Sequence, residues 1–370
     1  MGSRPPFFDD ELRRILQNCD RRIAGHGPRT AGTMLAGIDP ETPLDVYGNG
    51  GVVAELEREV ATLFGKEAAL FLPTGTMAQQ ATLRIHADRR GRNAVVFHPA
   101  CHLDKYEERA YERLHGLVGI PCGPMFSTIT TAALEQIREP YAALLLELPQ
   151  RELGGALPTW EELIAQCALA SSRGAATHLD GARIFEAATY YEETAGKTIP
   201  DIAALFDTVY LSFYKGLGGI AGCCVAGDQA VIDELKLWRI RHGGRMYQMW
   251  PYAASALAGL RIYGDRFGAY VAHARAFAHA VADEPRIEVL PNPPQTSMLH
   301  LRITGDVEAV QWAMVEVARR SGVWLFGGAY ANEGPNLQRF ELSLGEASLA
   351  VDPREFASLV HEVLEMSDAI

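Results

Sequence analysis

One lysine stands where a run of hydrophobic residues gives way to glycines. Residues 208–213 are mostly β-branched or aromatic, Lys215 follows Tyr214, and glycines occupy positions 216, 218 and 219. Such a run predicts a buried strand. An amine at the end of a buried strand is poorly solvated, which lowers its pKa and leaves it able to form a Schiff base with a carbonyl. The same pattern also fits an ordinary surface lysine at the start of a loop.

A strand-to-helix turn earlier in the chain offers a place for an anion. The turn is Thr74-Gly75-Thr76-Met77, and it follows the apolar run Ala68–Pro73. Two hydroxyls and consecutive backbone N–H groups at the start of a helix suit a phosphate. A threonine that merely caps the helix explains the same residues equally well.

A carboxylate ends another apolar run. Asp180 follows Ala176–Leu179 and precedes Gly181 and Arg183. An unpaired carboxylate at the end of a buried strand is costly, and a protonated pyridine nitrogen would be a suitable partner for it. The alternative is a structural ion pair between Asp180 and Arg183.

Two histidines and a cysteine lie close together at His98, Cys101 and His102. Side chains of these types bind zinc, but the sequence has no second cluster at a spacing known for zinc sites. We therefore expect no metal. A histidine that stacks on a flat ligand is the favoured interpretation, and a plain surface histidine is the alternative.

The order of these four signals is more informative than any one of them. A phosphate turn comes first, and a histidine, a strand-end aspartate and a strand-end lysine follow it. Pyridoxal 5′-phosphate (PLP) needs a phosphate cup, a group against its ring, an acid at its ring nitrogen and a lysine. The sequence therefore predicts a PLP site.

The elements that must hold these residues alternate along the chain. Besides Ala68–Pro73, strand-like runs are Ala94–His98, Gly116–Pro121, Ala143–Leu148, Ala176–Asp180, Thr208–Phe213 and Gly222–Gly227. Helices are predicted at Val52–Phe64, from Thr74 to about residue 87, and at Asp104–Leu114, Thr131–Arg138, Thr159–Arg173 and Asp201–Phe206. This alternation predicts an α/β fold with a mostly parallel sheet of about seven strands. Ligands of such sheets bind beyond the carboxyl ends of the strands.

The last third of the chain has a different pattern. After a long helical pattern to about residue 283, strand-like runs follow at Ile287–Leu290, Met298–Ile303, Val323–Phe326 and Phe340–Leu344, with helices at Asp306–Ser321 and Asp352–Ser367. These predict a small C-terminal α+β domain. We divide the chain into an N-terminal helix (residues 8–24) and arm at 1–44, a large PLP-binding domain at 45–255 and a small domain at 256–370.

Composition narrows the class of partner. Of the 370 residues, 48% are hydrophobic and 22% are charged, and the formal net charge is −12. An acidic chain lacks the basic face that nucleic acids and anionic membranes require. We find no signal-peptide core and no membrane span, and the six cysteines form no dense disulfide framework. We expect a cytoplasmic protein whose partner is a small molecule.

Several longer segments resemble the threonine aldolase and β-eliminating lyase family of fold-type I PLP enzymes. They are Asp45-Val-Tyr-Gly48 with Glu55-Leu-Glu57, the run from Phe64 to Met77, Cys101–Glu107, Gly154-Gly155 after Glu147, His178–Phe185, and Lys215-Gly-Leu217. The resemblance extends from about Asp45 to Trp250. It implies a large seven-stranded domain, a small C-terminal domain, and a homodimer or homotetramer.

The resemblance also implies a role for each matching residue. His102 would stack on the pyridine ring, Asp180 would face the ring nitrogen, and Lys215 would form the Schiff base. The residues implied to bind the cofactor are Thr74, Gly75, Thr76, His102, Asp180, Arg183 and Lys215. Those implied to bind the substrate are Tyr47, Arg183 and Arg339. In the family, the residue that matches Tyr47 is often contributed across a dimer interface.

The chain departs from the family at positions concerned with substrate. Tyr214 stands where threonine aldolases usually have serine, and Gly25–Thr30 replaces a family Arg-Ser-Asp-Thr segment. The family's carboxylate-binding arginine would fall near Glu341, which would repel a carboxylate, although Arg339 is adjacent. Leu148–Arg151 replaces a polar Asn-Thr-His run. We therefore predict intact cofactor chemistry and altered substrate recognition.

The favoured hypothesis is cleavage of the Cα–Cβ bond of a β-hydroxy-α-amino acid to an aldehyde and glycine or a related amino acid. Lys215 would hold the cofactor, Asp180 would keep its ring nitrogen protonated, and His102 or a water that it positions would be the base. β-Elimination shares every cofactor contact and is the first alternative. A protein of this fold without lyase turnover is the second.

Overall fold

The structure is a computed structural model that describes residues 14, 15, 18–326, 331–334 and 336–369. Much of the predicted N-terminal helix (8–24) therefore lies outside the described residues, and its predicted end is wrong because Arg21–Arg22 form a short strand. The chain divides into two compact units, one of residues 31–265 and one that combines the N-terminal segment to residue 30 with residues 266 onward. The domain borders at 44/45 and 255/256 remain a prediction from sequence.

The first unit contains a seven-stranded sheet. Its strands are β1 (Ala68–Leu72), β2 (Ala94–Phe97), β3 (Val118–Pro121), β4 (Ala143–Glu147), β5 (Ala176–Asp180), β6 (Thr208–Ser212) and β7 (Cys223–Gly227). They are arranged in the order β1-β7-β6-β5-β4-β2-β3. Strands β2 to β6 are parallel, whereas β7 is antiparallel to both of its neighbours. The predicted mostly parallel sheet is confirmed.

Eleven α-helices accompany this sheet within the described residues. They are α1 (Ala31–Leu35), α2 (Gly51–Phe64), α3 (Gly75–Arg90), α4 (His102–Lys105), α5 (Ala110–Arg113), α6 (Thr131–Glu135), α7 (Trp160–Ser172), α8 (Ile184–Ala195), α9 (Ile199–Ala203), α10 (Gln229–Arg241) and α11 (Trp250–Tyr263). The inner strands are covered on both faces, since β5, β6 and β7 are buried at every position.

Two helix predictions need correction, and three helices were not predicted. The predicted helix Asp104–Leu114 is two short helices, α4 and α5, because Glu108 and Arg109 adopt left-handed backbone angles (φ 52° and 53°) that a helix cannot contain. The long pattern to residue 283 is interrupted by a 3₁₀ turn at Gly264–Arg266. Helices α1, α8 and α10 were not predicted, and the stretch that contains α1 was expected to be a loop.

The second unit is a small α+β structure, as predicted. Its sheet consists of β8 (Ile287–Leu290), β9 (Met298–Thr304), β10 (Ala331–Gly334) and β11 (Leu337–Ser343), in the order β10-β11-β9-β8 with every pair antiparallel. Helices α12 (Phe267–Ala280), α13 (Val307–Ser321) and α14 (Pro353–Ser367) belong to the same unit. The predicted strand at 323–326 is shortened to Val323–Trp324, which pairs with Arg21–Arg22 rather than with this sheet.

Strand direction determines where the functional side chains meet. Because β4, β5 and β6 are adjacent and parallel, their carboxyl ends lie along one edge of the sheet. Glu147 ends β4, Asp180 ends β5, and Lys215 lies three residues beyond the end of β6. Within the described ranges, no helix is long and apolar enough to cross a lipid bilayer.

Candidate active site

A cavity of about 370 Å³ lies at this edge of the sheet. It is lined by six residues that the sequence singled out, namely Thr74, Gly75, Thr76, His102, Asp180 and Lys215. They come from a strand-to-helix turn, a short helix, a strand end and a loop, which are far apart in sequence. The fold therefore brings the four sequence signals into one place.

The start of α3 forms one wall of the cavity. Thr74 caps the helix, since its hydroxyl accepts a hydrogen bond from the Met77 N–H at 3.4 Å. The N–H groups of Gly75 and Thr76, in the first turn, have no acceptor within a helix. A Cβ atom on Gly75 would lie 2.2 Å from the hydroxyl oxygen of Tyr210. Only glycine fits there, because the Tyr210 hydroxyl occupies the place that a side chain would need.

Asp180 is buried, with 5% of its surface exposed. Its Oδ1 atom accepts a hydrogen bond from the Ala182 N–H at 3.1 Å. The structural ion pair with Arg183 is not formed, because the Arg183 Nε atom lies instead 3.8 Å from Glu186 Oε1. Asp180 thus presents a carboxylate to the cavity.

Lys215 belongs to a turn after β6, in which the Gly218 N–H donates to the Lys215 carbonyl at 2.9 Å. Burial is the main reason why the pKa of its amine falls to about 8, and the charge of Arg183 lowers this pKa further. The carboxylates of Asp180 and Glu147 act in the opposite direction. A substantial fraction of the amine is therefore neutral near physiological pH.

His102 begins α4 and is held by two carboxylates. Its Nδ1 atom lies 3.1 Å from Glu107 Oε1, and its backbone N–H donates to Glu147 Oε2 at 3.0 Å. The hydrogen bond with Glu107 raises the pKa of the imidazole. His98 is engaged elsewhere, because its Nε2 atom lies 3.0 Å and 2.9 Å from the carbonyls of Pro124 and Ser127, and its Nδ1 accepts the Ala100 N–H.

These features fit PLP in their chemistry. A glycine-lined helix start suits the phosphate, a buried carboxylate suits a protonated ring nitrogen, and a lysine of lowered pKa suits a carbonyl.

Comparison with known proteins identifies the family. A family model described as β-eliminating lyase matches residues 35–304. The chain belongs to the threonine aldolase and β-eliminating lyase family. It is a PLP-dependent lyase with the fold of type I PLP enzymes, as the sequence predicted.

Relatives of known structure cover nearly the whole chain. A protein of Exiguobacterium sp. 255-15, provisionally described as an aromatic amino acid β-eliminating lyase/threonine aldolase, is 34% identical, with a TM-score of 0.90 over 96% of this chain and 100% of that one. A provisionally described L-allo-threonine aldolase of Listeria monocytogenes is 33% identical, with a TM-score of 0.90 over 97% and 99%. Low-specificity L-threonine aldolase 1 of Arabidopsis thaliana is 30% identical over 67% of this chain and 70% of that protein.

Three residues that sequence reasoning gave to the substrate of this lyase lie outside the cavity's lining, namely Tyr47, Arg183 and Arg339. Tyr47 is 44% exposed, has a positive φ of 53° and packs edge-on against Tyr247, with ring centroids 5.3 Å apart. Arg339 lies on β11 in the second unit, where its Nε atom is 3.3 Å from Glu333 Oε1. Their roles remain predictions.

Two carboxylates of the lyase site were missed. Glu107 lines the cavity and orients His102, and it is itself held by Gln80 Nε2 at 3.3 Å. Glu147 accepts the backbone N–H groups of both His102 and Arg151, and burial together with the charge of Asp180 raises its pKa. A sequence signal for Glu147 existed, because this residue ends the strand that lies beside Asp180. The only sequence signal for Glu107 was its position in the segment Cys101–Glu107, which resembles the family.

Proposed function

We propose that this lyase cleaves the Cα–Cβ bond of a β-hydroxy-α-amino acid and releases an aldehyde together with glycine or a related amino acid. The observation that carries the proposal is the convergence of Lys215 and Asp180 with the start of α3 in one cavity. The named threonine aldolases among its relatives support the substrate class.

The cofactor would be held by residues from four elements. The backbone of Gly75 and Thr76, with the Thr74 hydroxyl, would bind the phosphate, and Lys215 would hold the cofactor covalently. Asp180 would keep the ring nitrogen protonated, and His102 would lie against the ring. When bound, PLP supplies an electron sink for the charge that develops at Cα during cleavage.

His102 is our candidate for the base that removes the β-hydroxyl proton. Its imidazole lines the cavity, and its Nδ1 atom is bonded to Glu107. Because that bond raises the pKa of the ring, the neutral imidazole is a better proton acceptor than an isolated one. A water held by His102 would serve the same purpose.

The substrate carboxylate needs a cation, and Arg183 is our candidate. Its charge already lowers the pKa of Lys215, and its Nε atom is buried without a hydrogen-bond acceptor among the described residues. Arg339 and Tyr47 would complete the recognition of the substrate.

Product analysis tests the proposal. Purified holoenzyme is incubated with threonine and allo-threonine, and the released aldehyde is trapped, while pyruvate and ammonia are assayed in parallel with serine. Aldehyde and glycine in equal amounts are the expected result. Pyruvate and ammonia without aldehyde would instead favour β-elimination, and no turnover of any β-hydroxy amino acid would favour a protein that has lost lyase activity.

We infer further that the enzyme is a cytoplasmic homodimer or homotetramer. Exposed apolar side chains at Leu44, Val46, Tyr47 and Tyr247 support an interface beside the Tyr47 turn. Six buried, unpaired thiols support a reducing compartment. Light scattering on the purified holoenzyme measures the assembly, and a monomeric mass at micromolar concentration would refute it.

A further inference from the structure

A chain of buried hydrogen bonds leads from the cavity into the protein. Gln79 Oε1 lies 2.6 Å from His178 Nε2, and His178 Nδ1 lies 2.8 Å from the Thr208 hydroxyl. The same hydroxyl lies 2.9 Å from His86 Nε2, and His86 Nδ1 lies 3.5 Å from the guanidinium of Arg90. Gln79, His86, His178 and Thr208 are each at most 2% exposed.

The chemistry of Arg90 gives this chain one direction. A guanidinium only donates, so His86 Nδ1 accepts and His86 Nε2 carries the proton. The Thr208 oxygen accepts that proton and donates its own to His178 Nδ1. His178 Nε2 then carries the remaining proton and donates to Gln79 Oε1. Burial lowers the pKa of both histidines to about 3, so both rings are neutral and each has a single N–H.

The direction decides which end of the Gln79 amide faces the cavity. Since Oε1 is used by His178, the NH₂ group is the free end. Gln79 lines the cavity, and its Nε2 atom makes no hydrogen bond within the described residues. Gln79 is one helical turn after Gly75, and side chains on a helix lean towards its N-terminus. Its donor therefore lies beside the open backbone at the start of α3.

We propose that Gln79 is a further cofactor-binding residue, whose NH₂ group donates to an anionic oxygen of PLP, and that His178 and Thr208 are positioning residues that hold this donor towards the cavity. The oxygen belongs either to the phosphate ester or to the ring phenolate. The inference rests on the PLP site but not on which bond of the substrate breaks.

Cofactor affinity measures the contribution of Gln79 directly. Apoenzyme of Gln79→Glu and Gln79→Met is titrated with PLP and with pyridoxal, and binding is followed by absorption. Glutamate keeps an acceptor for His178 but removes the donor, so PLP should bind about tenfold more weakly or worse. Gln166→Met is the matched control, because Gln166 is equally buried and does not line this cavity; it should bind PLP normally.

The two ligands distinguish the two oxygens. A loss of affinity for PLP alone assigns the contact to the phosphate, and a parallel loss for pyridoxal assigns it to the phenolate. Unchanged affinity of both Gln79 variants for both ligands would overturn the proposal. These are binding measurements, so they stand whatever products the enzyme makes.

The positioning role is tested at Thr208. Nitrogen-15 NMR of labelled histidines should show the proton of both His86 and His178 on Nε2. Thr208→Val removes the hydroxyl, so His178 should lose its single tautomer and PLP affinity should fall, whereas Thr208→Ser should restore both. A proton on His178 Nδ1 in the native protein would overturn the direction of the chain. Full PLP affinity in a folded Thr208→Val protein would overturn the positioning role.

Discussion

The pKa of the Lys215 amine is set by burial and by a few charged side chains that act in opposite directions. Burial and Arg183 lower the pKa of the amine, and Asp180 and Glu147 raise it, which leaves a pKa of about 8. The neutral amine is the form that reacts with a carbonyl. The rate at which apoenzyme takes up PLP should therefore rise with pH through about 8.

Two substitutions should move this midpoint in opposite directions. Arg183→Gln removes a cation that disfavours the protonated amine, so the midpoint should rise. Asp180→Asn removes an anion that favours it, so the midpoint should fall. Stopped-flow measurement of PLP uptake against pH gives both midpoints. Shifts of the same sign in the two variants would contradict this account of the lysine.

Residues whose identity reflects local geometry were the easiest to predict from the sequence. Asp180 and Lys215 follow apolar strands, and Gly75 stands between two hydroxyl residues at a helix start. Gln79 was missed because its role depends on a partner far away in the sequence, His178, which is 99 residues along the chain. A single sequence does not reveal such partners.

Among the helices, α11 depends on a remote cap. The buried carboxylate of Asp45 accepts the N–H groups of Met249 and Trp250 at 2.8 Å each, and that of Gly48 at 2.8 Å. One side chain thus satisfies the start of α11 and holds the turn that carries Tyr47. The sequence contains Asp45 in a turn signal, but it does not show that the turn caps a helix some 200 residues later.

Asp45→Ala should therefore destabilise the protein more than the loss of an ordinary cap. Three buried N–H groups lose their acceptor, which we expect to lower the free energy of unfolding by about 2–4 kcal/mol. Asp306→Ala is the control, because Asp306 caps α13 through a single bond to Ala309, and it should cost about 1 kcal/mol. Urea denaturation measures both, and an equal cost would contradict the role given to Asp45.

Strands were predicted more accurately than helices, for a physical reason. Buried strands such as β4 and β7 are continuous apolar runs that end at charged or small residues, so their bounds are visible. The break between α4 and α5 depends on left-handed angles at Glu108 and Arg109, residue types that give no warning of it. The antiparallel direction of β7 was also invisible, since direction depends on the connection and not on the strand.

On the scale of the whole molecule, the buried histidines make the fold sensitive to acid. His86 and His178 have pKa values near 3 in the folded protein and about 6.5 when unfolded. The unfolded state binds more protons between these values, so stability is complete above about pH 6.5 and falls as the pH drops. At pH 5, each histidine should lower the free energy of unfolding by about 2 kcal/mol relative to its value at neutral pH.

The contribution of one histidine can be isolated. His86→Gln should reduce the slope of unfolding free energy against pH, between pH 4 and 6, by about 1.4 kcal/mol per pH unit. His361→Gln, which alters a half-exposed side chain, controls for the loss of any histidine. Equal slopes for native protein and His86→Gln would show that His86 is not kept neutral by the fold.

On the scale of the whole chain, the predicted cofactor residues lie closer together than the predicted substrate residues. Six of the residues predicted to hold PLP line one cavity, while the segment after Glu147 uses the Arg151 backbone N–H and the Gln150 amide to bind that carboxylate. Gln150 is thereby directed at Glu147 and the Ala100 carbonyl. The segment Leu148–Arg151 differs from the polar run that the family has after this glutamate. For this reason the cofactor was easier to predict from the sequence than the substrate.

Borohydride reduction of the holoenzyme, followed by peptide mass mapping, identifies the residue that holds PLP, because reduction makes the bond to the cofactor permanent. We expect one labelled peptide, with the cofactor on Lys215, and no label in Lys215→Ala. A label on a different lysine, or unchanged labelling of Lys215→Ala, would contradict this expectation.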